Sequence, residues 1–264
     1  MPAHNKPAGN TAFETFYRAI WGGRWDSLKA ALKTPPCRIA YTHNLSNPYL
    51  LDAASVQAAC ELALPETAQT VLDMCAAPGG KSLVIASRMP ANCVLVANEL
   101  SSERRRRLAR VLDGHLPPPL RSRVKVSGFD AAALAGKKSE HNRFDGILLD
   151  APCSSERHVF TSEKHLAAWT PARPVSLARR QWALLSAAFL LLKPGGLLVY
   201  ATCAINPAEN EGVIRRLFEK YGNAVCAEPP VCAGENSAAG TIILPDTCNG
   251  AGPMFIAKAR KQHG

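Results

Sequence analysis

The stretch VLDMCAAPGGKS, Val71 to Ser82, holds a β-rich run, a glycine turn and the start of a helical run within twelve residues. A short apolar run bounded by turn residues reads as a buried strand. The paired glycines Gly79 and Gly80 then let the chain turn tightly and bring its backbone close to a ligand. Two rival patterns fail here: the G-x-G-x-x-G spacing of a dinucleotide site is missing, and the phosphate-loop pattern lacks its first glycine.

Outward from that corner the chain alternates β-rich and helical runs. After VLDM come a helix from Lys81, VLVANEL at 94–100, a basic helix from Ser101, VKVSGFD at 124–130 and ILLDAPC at 147–153. A long helix over 175–192, LLVYATC at 197–203 and a helix over 208–221 follow. Strands separated by helices predict βαβ units, hence an α/β fold with a doubly wound, mostly parallel sheet of Rossmann-like type. TIILP at 241–245 and PMFIAKA at 253–259 predict two terminal strands closing the sheet as an antiparallel hairpin. Upstream, Phe13, Phe16, Tyr17, Ile20 and Trp21 recur at helical spacing, then Trp25, Leu28 and Leu32 recur after Gly22-Gly23, which predicts two short helices. Pro35-Pro36 ends that unit, residues 37–50 read as irregular, and Asp52 is placed to cap a helix reaching Leu64. The expected division is an N-terminal helical extension over 1–48 and one catalytic domain over 49–264.

The 264 residues hold 31 Lys+Arg against 21 Asp+Glu, a net charge of +10, which favours a polyanionic partner, RNA ahead of a membrane. No run approaches the length of apolar chain that spans a bilayer, so a soluble protein is expected. Nine cysteines, an odd number without a C-x-x-C pair, argue for reduced thiols rather than a disulfide framework or a metal site. The first thirty residues lack the apolar core of a secretory signal. They are poor in acids and carry Lys6, Arg18, Arg24 and Lys29, which suits an organelle import signal, although their Gly and Pro content weakens that reading.

Ligands of doubly wound sheets lie beyond the carboxyl ends of the strands. Glu99 stands there, roughly twenty residues past the glycine turn, where a carboxylate can accept from both ribose hydroxyls of a nucleoside. Asp130 ends the next strand and Asp150 the one after. Singly each can be a helix cap or a solvated charge; jointly they fit a nucleoside carrying positive charge, such as S-adenosylmethionine. Cys153 and Cys203 are the two cysteines just beyond sheet strands; the other seven read as small core hydrophobes.

The motifs DMCAAPGGKS (73–82), DAPCSS (150–155) and YATCAINPAENE (200–211) resemble the RNA cytosine-5 methyltransferases of the NOL1/NOP2/Sun family, with a class I methyltransferase fold. The likeness runs from about Tyr49 to Lys261. YLLDAAS at 49–55, SSERH at 154–158 and GPMFIAKARK at 252–261 resemble its short mitochondrial members, which act on ribosomal or transfer RNA. The resemblance implies a donor site for S-adenosylmethionine built from Ala77, Pro78, Gly79, Gly80, Lys81, Glu99, Arg104, Asp130 and Asp150, with no metal. It also implies Cys203 as the nucleophile, Cys153 as the residue assisting release, Asp150 on the base edge and Lys81 ordering donor and target. The residues alone leave the order of the two cysteines open. Ala204 departs from the serine that often follows the Thr-Cys pair, a small change that leaves the chemistry intact.

Arg104 to Arg107, Arg110, Arg121, Arg123 and Lys125 offer a phosphate-binding surface, or else a solvated helix face. Trp21, Trp25, Trp169 and Trp182 can stack on unpaired bases, though core packing suits most of them better. Without a separate RNA-binding module, target choice is expected to come from a partner. The resemblance implies ribosomal RNA or transfer RNA as substrate and, as partner, an mTERF-like RNA-binding protein or a ribosomal assembly intermediate. It places the protein in the mitochondrial matrix, with the cytoplasm as the alternative. A ribosome-assembly factor that keeps the fold but acts by binding is the competing class of function. A small-molecule methyltransferase would need neither two cysteines nor this charge.

Overall fold

The structure, a computed structural model, describes residues 9–263. Lys6, part of the basic N-terminal stretch, lies outside the described residues. In chain order the elements are α1 (Gly9–Trp21), α2 (Trp25–Lys33), β1 (Arg38–Tyr41), β2 (Tyr49–Asp52), α3 (Ala53–Cys60), β3 (Thr70–Asp73), α4 (Gly80–Arg88), β4 (Val94–Asn98), α5 (Ser102–His115), α6 (Pro118–Arg121), β5 (Val124–Ser127), β6 (Phe144–Asp150), α7 (Glu156–Phe160), α8 (Glu163–Ala167), α9 (Ala172–Leu191), β7 (Leu192–Thr202), α10 (Glu211–Tyr221), β8 (Val225–Glu228), β9 (Glu235–Ser237), β10 (Gly240–Ile243) and β11 (Met254–Lys261).

The main sheet runs β5-β4-β3-β6-β7-β11-β10-β9. From β5 to β7 every pairing is parallel; β11 then pairs antiparallel with β7 and with β10. The expected parallel sheet and terminal hairpin are therefore both present. β8 and β9, short pieces that the sequence pattern did not disclose, extend the antiparallel end: β8 lies beside residues 258–261 of β11, while β10 lies beside 254–256.

Side chains alternate across the two faces, as strand geometry requires. Leu72, Leu149 and Tyr200 join one core with Phe13, Tyr17 and Trp25 of the first two helices and with α9. Val71, Leu148 and Val199 join the other with α3, α4 and α5. Burial on both faces explains why these strands read as near-continuous apolar runs. Trp25 and Trp169 are fully buried in the first core, in keeping with packing rather than base stacking.

The irregular reading of 37–50 is corrected. β1 and β2 form an antiparallel hairpin with Arg38 opposite Asp52 and Tyr41 opposite Tyr49, and it crosses the boundary drawn at residue 48. It escaped notice because three of the four β1 residues are exposed and show no apolar alternation. Asp52 does cap α3, accepting from Ala54 N at 2.8 Å. Among the described residues no helix is long and apolar enough to cross a membrane.

Candidate active site

Because β4 and β5 lie on one side of β3 while β6 and β7 lie on the other, the chain reverses direction of growth between β3 and β6. That switch point opens a crevice beyond the strand ends. The glycine turn forms one wall. Gly79, with φ +119°, caps α4, and a Cβ there would lie 3.0 Å from Val111 Cγ1 and 3.2 Å from Leu108 Cδ1 of α5. A Cβ on Gly80 would lie 3.0 Å from the Tyr49 ring. Both glycines therefore serve close packing of the turn against α5 and β2, a use beyond the backbone approach toward a ligand that the sequence suggested.

Ala77, Pro78, Gly80, Lys81, Asp73, Asp150 and Arg107 line a cleft of about 330 Å³. Cys75 joins it to a smaller recess bounded by Glu99, Arg104, Asp130 and Arg180. Glu99 is buried and accepts from Ser101 N at 2.9 Å. Arg104 lies 3.4 Å from the Glu99 carboxylate and donates to Ala77 O at 3.0 Å, so it braces one site residue against another. Asp130 is exposed, three residues past β5, and accepts from Ala132 N. The three acids are successive in the chain but not in the sheet. β3 stands between β4 and β6, and its own end carries Asp73, which sequence reasoning passed over.

Asp73 is fully buried: Oδ2 accepts from Ser82 Oγ at 2.6 Å, and Oδ1 has no protein partner among the described residues. Burial, with the nearby Asp150 and Glu99 charges adding to it, pushes this carboxyl up to about 7 despite the Ser82 bond. A buried acceptor left without a donor beside a cleft suits a cationic ligand group. Together with Glu99 at the neighbouring strand end, the donor set fits a positively charged nucleoside.

Lys81 Nζ donates to Asp150 Oδ2 at 2.7 Å and to Ser55 Oγ at 3.4 Å. Burial works against the ammonium, but the Asp150 carboxylate more than offsets it and leaves Lys81 above its ordinary range. Cys153 and Cys203 meet with their sulfurs 3.0 Å apart. Between them Ser155, a non-glycine residue held at φ +53°, sets its hydroxyl 3.2 Å from the Cys203 sulfur. The shared thiol hydrogen bond, seconded by Ser155, pulls Cys203 below the usual thiol range although burial opposes it; the same bond, with burial, raises Cys153. A second cavity of about 390 Å³ is lined by Cys203, Ser155, Arg157 and His158. It shares the wall Pro36, Arg38, Asp52 and Ser55 with the first. Cys203 faces it; Cys153 does not line it.

Comparison with known proteins decides the family. Residues 60–260 match the family described as 16S rRNA methyltransferase RsmB/F. The chain belongs to the RsmB/F family. It is 33% identical over 254 residues to the mouse mitochondrial tRNA (cytosine(34)-C(5))-methyltransferase, covering 89% of this chain and 71% of that one. It is 36% identical over 222 residues to ribosomal RNA small subunit methyltransferase F of Vibrio parahaemolyticus, covering 81% of this chain and 45% of that protein. The crystal structure of NSun6 from Pyrococcus horikoshii with SFG, an analogue of S-adenosylmethionine, superposes with a TM-score of 0.70 at 28% identity, over 84% of this chain and 55% of that one.

Within this RsmB/F chain, Lys81, Asp150, Cys153 and Cys203 converge at one end of the sheet, as the motifs anticipated. The basic surface is smaller than the sequence suggested. Arg105 donates to Glu99 O and Leu100 O, Arg121 is tied to Asp113 and Val124 O, and Arg123 donates to Pro90 O and Cys93 O. Arg106, Arg107 and Arg110 remain exposed on α5. Sequence reasoning missed Asp73, Ser55 and Arg38. Asp73 was open to the argument applied to Glu99, since it too ends a strand beside the turn. Arg38 lies on the hairpin and had no comparable signal, whereas Ser55 stands in α3 within the YLLDAAS stretch, where nothing marked it as a site residue.

Proposed function

We propose that this chain methylates carbon 5 of cytosine in RNA, through a covalent bond between Cys203 and the base. The observation that carries this reading is the asymmetry of the paired thiols: Cys203 lines the cavity, while Cys153 lies 3.0 Å behind it. Carbon 5 of cytosine is a weak nucleophile, and a thiolate adding at carbon 6 moves electron density onto carbon 5. Cys203, its thiol lowered by the Cys153 and Ser155 hydrogen bonds, supplies that thiolate. Asp150, held by Lys81 at 2.7 Å, meets the base edge where the ring nitrogen gains a proton as the adduct forms. S-adenosylmethionine supplies the methyl group when bound. Glu99 and Asp130 would receive its nucleoside end, with Arg104 bracing Glu99, and the turn Ala77–Lys81 with Asp73 would hold its charged end. A solvent water takes the carbon-5 proton, the ring nitrogen gives its proton back to Asp150, and the ring expels Cys203 as a thiolate, breaking the bond between sulfur and carbon 6. Cys153, the thiol nearest to that sulfur, assists this release.

Ribosomal RNA is the substrate we favour, with transfer RNA the alternative, since relatives carry names for both. Similarity to mitochondrial relatives supports action in the mitochondrial matrix, and targeting by an mTERF-like RNA-binding partner or a ribosomal assembly intermediate belongs to the same reading. The test is covalent trapping. Cys153→Ala protein incubated with ribosomal RNA and S-adenosylmethionine is expected to accumulate an RNA adduct on a denaturing gel. The Cys153→Ala/Cys203→Ala double variant is expected to form none. An adduct that persists without Cys203 overturns the assignment.

A further inference from the structure

Beneath the two thiols lies a cluster that the reaction above does not use. Glu156 and Glu209 are both fully buried, and no Lys, Arg or His side chain is among their hydrogen-bond partners in the described residues. Two ionised carboxylates in such a place would be strongly unfavourable without a cation. One hydroxyl, Ser154 Oγ, lies in short contact with Oε1 of both.

Counting donors locates the proton. Glu209 Oε2 accepts from Ser154 N at 2.9 Å and from Gln181 Nε2 at 2.8 Å, and Glu156 Oε2 accepts from Ile205 N at 3.1 Å. Tyr17 OH donates to Glu156 Oε1. A serine hydroxyl has one proton, so it can donate to one carboxyl only. The arrangement closes when Glu209 Oε1 carries a proton and donates to Ser154 Oγ, which donates in turn to the Glu156 carboxylate.

The bonds also cross between loops. Ser154 N, adjacent to Cys153, is held by Glu209 of the Cys203 loop, and Ile205 N, two residues past Cys203, is held by Glu156 of the Cys153 loop. Gln181 of α9 also donates to Pro152 O at 3.0 Å, and Tyr17 brings in α1. We propose that protonated Glu209, Ser154 and ionised Glu156 form a proton-sharing clasp that positions Cys153 and Cys203 against each other, with Tyr17 of the N-terminal helix as its outer anchor. These are positioning residues, and the proposal rests on the reading of Cys203 and Cys153 as the reacting pair.

The titratable groups facing the clasp are Tyr17 on α1, Tyr200 on β7 and the thiols of Cys153 and Cys203, with Asp150 beyond them. All add negative charge on ionising, so each favours retention of the shared proton. Burial, reinforced by the Glu156 charge, holds Glu209 up to about 7 although its hydrogen bonds oppose this. Losing that proton leaves Ser154 between two carboxylates, which loosens both loops.

The two carboxyls therefore respond oppositely to amide replacement. In Glu209→Gln the amide NH₂ donates to Ser154 Oγ as the protonated acid does. In Glu156→Gln an amide faces donors that a carboxylate had accepted. The experiment measures closure of the Cys153–Cys203 disulfide by diamide, an azo oxidant that takes two electrons from the thiol pair and is reduced to its hydrazine, followed by mass spectrometry of the purified full chain. Closure at neutral pH is expected within about twofold of wild type for Glu209→Gln and slowed about tenfold or more for Glu156→Gln and for Ser154→Ala. Ser154→Ala is the smaller change and serves if Glu156→Gln does not fold.

A second readout follows the proton itself. The folded-state carboxyl of Glu209 is raised, so its contribution to stability is present at low pH and is lost as pH rises through about 7. The fall in melting temperature across that range should be smaller in Glu209→Gln than in wild type. Equal slowing in both Gln variants, wild-type closure in Ser154→Ala, or an unchanged pH dependence in Glu209→Gln overturns the clasp. Neither readout uses RNA or the methyl donor, so failure of the methyltransferase reading leaves the test of the clasp standing.

Discussion

Replacing Gly79 by alanine tests whether the glycine turn is built by packing against α5. Two costs add at this position. An L-residue at φ +119° occupies a region that side chains rarely adopt, a penalty of roughly 1–3 kcal/mol. The new methyl would also stand 3.0 Å from Val111 Cγ1 and 3.2 Å from Leu108 Cδ1, and overpacking of this kind costs roughly 1–3 kcal/mol. The sum, about 2–6 kcal/mol, lowers the urea midpoint by about 0.7–2 M, taking a slope of roughly 3 kcal/mol/M, the upper end for small proteins. The two costs separate in a double-mutant cycle. Val111→Ala removes the Cγ1 contact but leaves the residue-111 Cβ and Leu108 Cδ1, each 3.2 Å from the new methyl, along with the backbone strain, so Gly79→Ala/Val111→Ala should be more stable than the sum of the single effects by about 1 kcal/mol. The assay is equilibrium urea unfolding of the four proteins by tryptophan fluorescence. An unchanged midpoint in Gly79→Ala, or additivity in the cycle, refutes the packing argument.

Three further outcomes are expected. Glu99→Gln should weaken S-adenosylmethionine binding about tenfold or more, because a charge-assisted acceptor becomes a neutral one; calorimetric titration with an unchanged affinity would remove Glu99 from the ribose position. Donor binding near neutral pH should release a proton, since burial holds Asp73 up to about 7 and an arriving cation favours its ionised form. Titration in two buffers of different ionisation heat measures the release, which should fade above about pH 8, where Asp73 is already ionised, and vanish in Asp73→Asn. Arg106→Gln/Arg110→Gln should reduce the slope of log affinity for single-stranded RNA against log salt by about 0.7 for each phosphate that is no longer neutralised, while leaving donor affinity alone; an unchanged slope would mark these as merely solvated side chains.

The parts of the fold that were legible in the sequence share one property: their signals are local. Val71–Leu72 and Ile147–Leu149 are buried on both faces and read as continuous apolar runs, and Asp52 announced its cap because the carboxylate bonds to a backbone N–H two residues away. The β1–β2 hairpin gave no such signal, since Arg38, Ile39 and Ala40 are all exposed. The basic cluster misled in the opposite direction. Arg105, Arg121 and Arg123 carry full charges, yet their guanidinium groups satisfy backbone carbonyls: Glu99 O for Arg105, the nearby Val124 O of β5 for Arg121, and Pro90 O, which only the fold brings close, for Arg123. Glu156 and Glu209 lie in motifs already singled out, but their pairing depends on two loops meeting.

That meeting follows from strand order and register rather than from either motif. β6 and β7 are adjacent and parallel, with Asp150 opposite Ala201. Cys153 lies three residues past the first of these and Cys203 two past the second, so both leave the sheet at the same level. The left-handed turn at Ser155 then folds the first loop back so that its hydroxyl reaches the Cys203 sulfur. β3 flanks β6 on its other side, and the helix that follows β3 delivers Lys81 to Asp150. The proposed nucleophile, its neighbouring thiol, a carboxylate and an ammonium thus arise from three adjacent strand ends. A register slip of one residue between β6 and β7 would preserve every motif in the sequence and still separate the sulfurs, because alternate residues of a strand face opposite sides of the sheet.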